Sequence, residues 1–162
     1  MKERDLIDLE NVAYTYSGGE LLSEMTLSIA SGAFYFLTGP SGSGKTTFLK
    51  MCYGALVPTA GNIAIFGQDL RAMTRDDIAL TRRRIGVVHQ DCQFLDHLNV
   101  VDNIALPLAA AGQDSLADGA NLKELLNWVG LGHRADALPP ELSGGERQRA
   151  ALARAEIGRA HV

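Results

Sequence analysis

Eight consecutive residues, Gly39-Pro40-Ser41-Gly42-Ser43-Gly44-Lys45-Thr46, match G-x-x-x-x-G-K-[ST] over their whole length. That spacing suits a grip on a chain of phosphates. Gly39, Gly42 and Gly44 let the backbone wrap so that successive N–H groups point inward at anionic oxygens. Lys45 can reach the outer phosphates, and the Thr46 hydroxyl can hold Mg²⁺. A helix opening at Thr46 and Thr47 would add the partial positive charge of its N-terminus. A second segment, Leu142-Ser143-Gly144-Gly145-Glu146-Arg147-Gln148-Arg149, has the makings of another anion site. Ser143 is a good N-cap, and Gly144 and Gly145 leave N–H groups uncovered. Glu146, three residues on, completes a capping box. Spacing alone fits an ordinary capped helix equally well.

The elements that must position these groups can be read around them. The apolar run Phe34-Tyr35-Phe36-Leu37-Thr38 reads as a buried strand, and Thr46 to Tyr53 as an amphipathic helix, so the loop has the strand–loop–helix context that its chemistry needs. Leu6 to Ile29 alternates like antiparallel strands. Residues near 34 to 88 alternate strand and helix, which predicts a parallel core sheet. From Gln90 to about Pro140 the pattern is helical, with helices over Asn99–Ala111 and Asn121–Val129 stopped by Gly112 and Gly130. No internal repeat or low-complexity linker interrupts the chain.

Composition bounds the function. The 162 residues are 46% hydrophobic with a net charge of −4, which suits one domain and gives no support for nucleic acid as substrate. No run of eighteen apolar residues occurs and Met1–Asp5 is charged, so membrane association is expected to come through a partner. Cys52 and Cys92 lack metal-ligand spacing and are expected to be reduced thiols. Arg82-Arg83-Arg84 reads as a solvated helix end. Kinases, GTPases, helicases and transport ATPases all use a phosphate loop, so the loop does not choose among them. An Asn-Lys-x-Asp run for guanine is absent from the sequence.

The second segment discriminates by resemblance. Leu142-Ser143-Gly144-Gly145-Glu146 resembles the signature motif of ATP-binding cassette (ABC) proteins, usually written LSGGQ, with Glu in the last place. Gln148, Arg149 and Ala150-Ala151-Leu152-Ala153-Arg154-Ala155 fit that family's signature helix. Tyr16 matches the aromatic that stacks on adenine, although its place in Tyr14-Thr15-Tyr16 also suits plain sheet packing. Pro58-Thr59-Ala60-Gly61-Asn62-Ile63 resembles the turn and strand after the first helix. Arg84-Ile85-Gly86-Val87-Val88-His89-Gln90 resembles the strand ending in the family's glutamine. Gln90 would then touch Mg²⁺ or the attacking water; without the resemblance it reads as a solvated strand end. His89 reads as packing.

The resemblance spans Leu6 to Ala155. It implies an α/β phosphate-loop NTPase fold of the ABC nucleotide-binding type: a parallel core sheet, an N-terminal antiparallel part and a helical subdomain at about residues 90–140. It implies ATP and Mg²⁺ as cofactors. Nucleotide would be held by Tyr16, by Gly39, Pro40, Ser41, Gly42, Ser43, Gly44, Lys45, Thr46 and Thr47, and by Ser143, Gly144, Gly145 and Glu146. Lys45, Gln90 and Ser143 would serve catalysis, with Thr46 and Gln90 on the metal. The implied partners are a second copy, head to tail, and an integral membrane subunit that holds the protein on the cytoplasmic face of the cell membrane. Within the family, Phe34–Gly42 and Asp102–Leu108 are most similar to the cell-division ATPases. ATPases of lipoprotein-release and macrolide-type exporters are the alternative.

In this family a strand ending in Asp-Glu follows the signature helix and supplies a metal ligand and the general base; a switch histidine comes later. Residues 1–162 hold no Asp-Glu pair, and His161 sits in no matching context. Glu156-Ile157-Gly158-Arg159-Ala160-His161-Val162 departs from the family's pattern. Read as codons, it matches one frame of a sequencing-adapter oligonucleotide, (G)AG-ATC-GGA-AGA-GCA-CAC-GTC. The expectation is a reading frame cut short: residues 1–155 as a partial nucleotide-binding domain and 156–162 as a non-native tail. Such a chain binds ATP without hydrolysing it, or is a non-functional fragment with strand edges uncovered.

Overall fold

The computed structural model describes residues 6–16, 19–112 and 120–159. The chain divides into two compact units, residues 1–82 and 83–162.

The first unit is built on a hairpin of β1 (Ile7–Tyr16) and β2 (Gly19–Ile29). With β3 (Ala60–Ile65) and β4 (Gln68–Asp69) they form a four-stranded antiparallel sheet in the order β2-β1-β3-β4. Period-two alternation decides its buried face: Leu9 lies opposite Ile63, and both are buried, as is Ile65. The register slips between Glu10 and Ala13, where Asn11 takes φ +49°. Across from it, a Cβ on Gly61 would lie 2.2 Å from the Asn11 carbonyl oxygen, so the bulge admits only glycine there.

Helix α1 (Lys45–Cys52) buries Thr47, Phe48, Met51 and Cys52. Helix α2 (Arg75–Arg83) opens on a capping box: Thr74 N–H and Oγ1 donate to Asp77 Oδ2 at 2.9 and 2.6 Å, and Asp77 N–H returns to Thr74 Oγ1 at 3.2 Å. Arg82 was expected to be a solvated helix end. Its guanidinium instead donates to the Gly54 and Tyr53 carbonyls at 2.6 and 3.3 Å. These carbonyls close α1, where a cation is favoured by the helix dipole.

The second unit is helical. Helix α3 (Val100–Ala110) is capped by the Asn99 side chain, which accepts the Asp102 N–H at 2.8 Å. Helices α4 (Ala120–Trp128) and α5 (Gly144–Arg159) complete it, with 3-10 turns at Gly132–Arg134 and Pro139–Glu141. The helices expected over Asn99–Ala111 and Asn121–Val129 are thus present, and Gly112 and Gly130 follow them at φ +71° and +70°. Ile104, Leu108, Leu126, Leu131, Ala150, Ala153 and Ile157 share one core. Ala150 and Ala153 are small enough to let α5 approach the neighbouring helices closely. Ile157, in the segment read as a tail, is buried in this core. Residues 160–162, His161 among them, lie outside the described residues.

Two expected strands are not formed. Residues 34–38 and 84–90 are irregular, and the described residues contain no parallel pairing. Phe34 and Phe36 are 82% and 83% exposed, their rings meeting edge to face at 5.0 Å. An apolar run signals a tendency to be buried, whereas a strand also needs a neighbour whose N–H and C=O groups complete its ladder. No such neighbour stands beside either segment among the described residues.

Candidate functional site

The glycines of residues 39–46 take positive φ, as their spacing predicted. Gly39, Gly42 and Gly44 have φ +151°, +80° and +86°, all in the region that side-chain-bearing residues avoid. Gly44 is also the N-cap of α1, and a Cβ there would meet Leu22 Cδ2 at 2.6 Å. The loop closes with Ser43 N–H on the Pro40 carbonyl at 3.3 Å and passes into the helix through Phe48 N–H on Gly44 at 2.8 Å. Lys45 folds back over the loop: Nζ donates to the Gly39 and Pro40 carbonyls at 2.8 and 2.6 Å and lies 3.4 Å from Ser43 Oγ. The ammonium is thereby held by the loop that it would serve. Thr46 is exposed in the first turn of α1, whereas Thr47 is buried and belongs to the packing of the helix.

Tyr16 ends β1. It is 51% exposed, with its ring edge-on to Tyr14 at 5.0 Å. Tyr14 pairs with Leu22, the residue that touches Gly44, so one hairpin both abuts the loop and carries the Tyr16 ring. An open aromatic face in that position can serve as a stacking platform.

In the second unit the signature segment forms the capping box that its spacing predicted. Ser143 N–H and Oγ donate to Glu146 Oε2 at 2.8 and 2.7 Å, and Glu146 N–H returns to Ser143 Oγ at 3.3 Å. Glu146 Oε1 accepts from Arg134 Nε at 3.1 Å, which makes the two an ion pair. The Ser143 hydroxyl, then the Ser143 N–H and Arg134, hold the Glu146 carboxyl down at about 2. Gly144 and Gly145 are exposed, and their backbone lies open at the head of α5.

Gln90 is exposed in a turn, not at a strand end, and His89 is exposed where packing was expected. The Cys92 N–H donates to the His89 carbonyl at 3.1 Å, with Cys92 at φ +42°. Both thiols are free and buried, and burial pushes Cys52 up to about 12, which makes it a poor nucleophile or ligand.

Sequence reasoning missed three residues. Asn103 is fully buried: its Oδ1 accepts the Leu95 N–H at 2.8 Å, and its Nδ2 donates to the Leu95, Leu98 and Asn99 carbonyls at 2.9–3.0 Å. A polar residue on the apolar face of α3 was a readable signal. Arg134 and Arg154 reach partners 12 and 61 residues away, and no local pattern announces such contacts.

Among the described residues no three His, Cys, Asp or Glu side chains could hold a metal by themselves. The Thr46 hydroxyl in the first unit is a hard, neutral oxygen donor of the kind Mg²⁺ accepts alongside phosphate oxygens and water, and so, in the second unit, is the Gln90 amide oxygen. Donors of this kind fit a cation that arrives with a nucleotide. None of the described helices is long and apolar enough to cross a membrane.

Comparison with known proteins bears on this geometry. Residues 22–162 match the family described as ABC transporter. The cell division ATP-binding protein FtsE of Bacillus subtilis is 37% identical over 158 residues, covering 97% of this chain and 69% of that protein. FtsE of Haemophilus influenzae is 38% identical over 154 residues, covering 94% and 71%. Among solved structures, the dimeric post-hydrolysis state of the ATP-binding cassette MJ0796, bound to ADP and Pi, superposes with a TM-score of 0.81 at 31% identity, covering 95% of this chain and 70% of that one.

Proposed function

Because the chain belongs to the ABC transporter family of ATP-binding domains, we propose that it is an FtsE-like ATP-binding subunit whose nucleotide closes two copies head to tail and so drives a membrane partner. The observation that carries this reading is the pair of glycine-bearing helix heads, Gly39–Thr46 and Ser143–Glu146, at the starts of α1 and α5, the kind of place where an anion is received. In the closed pair, the loop of one copy and Lys45 hold the phosphates, and Tyr16 carries the adenine. Ser143 and Gly145 of the other copy cap the outermost phosphate. Thr46 and Gln90 would hold Mg²⁺, which supplies charge neutralisation at the phosphates. The partner fitting this reading is an integral membrane subunit of the FtsX kind, which places the protein on the inner face of the cell membrane. An exporter permease is the alternative. Residues 90–140 are assigned as the helical subdomain.

Residues 1–162 contain no Asp-Glu pair to complete a metal shell and activate water, which supports a reading in which these residues bind ATP without turning it over. The exposed run from Phe34 to Leu37 favours a second reading, a fragment that self-associates through uncovered apolar surface. One purified sample decides between them. Binding of a non-hydrolysable ATP analogue that is weakened at least about tenfold in Lys45→Ala, with phosphate release at background, supports the first. Aggregation without analogue binding supports the second. Phosphate release that survives purification and disappears in Lys45→Ala would show that the catalytic base has been misplaced. In a full-length version, Ser143→Arg should leave ATP binding intact and block dimer closure. Co-purification with a division-type or an exporter-type membrane subunit separates the two partner classes.

A further inference from the structure

The segment from Gly86 to Asn99 carries Gln90, and it is fastened at both ends by groups to which the ATP reading gives no part. At its far end, Asn103 on α3 saturates the backbone of Leu95, Leu98 and Asn99. At its near end the fastening comes from α5. A Cβ on Gly86 would lie 2.7 Å from the Ala155 carbonyl oxygen, so the backbone at residue 86 rests directly on α5. One residue earlier on that helix, Arg154 donates Nη1 to the Gln93 carbonyl at 2.6 Å, and its guanidinium carbon stands 4.7 Å from the centre of the Phe94 ring.

Between these two contacts lie Gln90 and Cys92. Cys92 takes φ +42°, a conformation that side-chain-bearing residues adopt only when their surroundings impose it. Its N–H is tied to the His89 carbonyl at 3.1 Å, which closes the turn over Gln90. The flat guanidinium suits this place because it donates in its plane while its face lies against an aromatic ring; an ammonium does only the first well.

We propose that Arg154 is a positioning residue that fixes the Gln90 turn to the signature helix. Ser143, which caps α5, and Arg154 within it are eleven residues apart, roughly 16 Å along a helix axis. A load placed on the head of α5 can therefore reach the Gln90 turn through one rigid helix, its contact at Gly86 and the Arg154 fastening at Gln93 and Phe94. The importance of Gln90 rests on the ATP reading above, but the fastening itself does not.

The test is amide hydrogen exchange on the 162-residue chain without nucleotide, comparing the Cys92 N–H, which closes the turn, with the Leu95 N–H, which Asn103 holds. Arg154→Met keeps the stem and removes the donor. Exchange at Cys92 should accelerate about tenfold or more, as expected for loss of a charged hydrogen bond, with Leu95 unchanged. Arg154→Lys should recover part of the protection. Unchanged Cys92 exchange in Arg154→Met overturns the proposal. So does equal acceleration at Cys92, at Leu95 and in the α3 core without recovery in Arg154→Lys, because that pattern marks general packing. Should Arg154→Met not fold, Phe94→Leu, which removes only the ring, carries the same comparison: acceleration confined to Cys92 supports the proposal and its absence overturns it. ATP-analogue binding by the wild-type sample is scored separately. Its failure would sink the ATP reading and leave the exchange result standing.

Discussion

At residues 39–46 an anion-facing backbone is shaped by glycine torsions and by a lysine folded onto its own loop. At residues 143–146 a similar backbone is shaped by side chains: a serine, a glutamate and an arginine that hold the head of a helix from outside. Their supports differ as well. The loop follows the irregular, exposed segment 34–38, whereas α5 buries Ala150, Ala151, Ala153 and Ile157. Local chemistry can therefore be set by a few residues even where the element leading into it is unformed. Rigidity, in contrast, comes from packing, and only the second site has it on both counts.

The largest expected effect tests that difference in support. Ile104, fully buried in the helical core, should cost about 2–5 kcal/mol of that unit's stability when changed to Ala, through lost burial and the cavity left behind. Phe36→Ser should cost less than about 0.5 kcal/mol, because the ring is 83% exposed, and should reduce self-association. Denaturant titration of both variants, followed by light scattering, measures this. Equal costs would break the comparison by showing that the 34–38 segment is packed in solution.

The next effect is on ligand affinity. Lys45→Ala should weaken ATP-analogue binding by about ten- to a hundredfold, the range of a lost charged hydrogen bond. The unfolding midpoint should hardly move, because the Lys45 partners at Gly39 and Pro40 are solvent-facing carbonyls. Calorimetric titration beside a thermal melt reads both. A large loss of stability would mean that Lys45 is structural in this loop.

What could be read from the sequence follows the same division. The loop glycines, the Ser143–Glu146 box and helices α3 and α4 were legible because each is decided by residues within a few positions of one another, and the β1–β2 pair because its partner strand follows directly in the chain. The strands at Phe34–Thr38 and Arg84–Gln90 were misread because a ladder is decided by a partner strand, and apolar patterning says nothing about whether that partner is at hand. Arg82, Arg134 and Arg154 were invisible for a related reason. Long cationic side chains choose acceptors that the fold brings near, and their sequence neighbours carry no trace of the choice. Asn103 was the one missed residue with a local clue, a polar side chain within an apolar helix face.

A smaller effect sharpens the contrast at the signature end. Ser143→Ala removes the N-cap oxygen and should destabilise the helical unit by about 1 kcal/mol. A similar cost is expected for Thr74→Ala at α2, which is built on the same pattern with Asp77. Gly42→Ala should act differently. Nothing lies within 4 Å of the added methyl, yet φ +80° strains any side-chain-bearing residue, so the loop should reshape and lose ligand affinity while α1 stays folded. Should Ser143→Ala reduce ATP-analogue binding by the isolated chain as much as Gly42→Ala does, the two sites would not act on separate nucleotides as proposed.

The smallest effect is the pH response of the capping box, and its sign is fixed. The Glu146 carboxyl is lowered from 4.5 to about 2 by the Ser143 hydroxyl, the Ser143 N–H and Arg134. A depressed carboxylate contributes stability that is fully present above its unfolded value and is lost as pH falls through the folded one. The box should therefore be intact at pH 5 and above, weaken below about 4.5, and be gone near pH 2. Exchange of the Ser143 and Glu146 amides across that window follows it directly. Glu146→Gln keeps an acceptor for the serine but removes the charge, so it should flatten the response while leaving the helix capped. Arg134→Gln should move the Glu146 titration upward by less than loss of the serine does, because Arg134 is the lesser cause. A larger shift from Arg134→Gln than from Ser143→Ala would mean that the ion pair, and not the cap, holds this helix head. The two sites would then both rest on a single cation, lysine in one and arginine in the other.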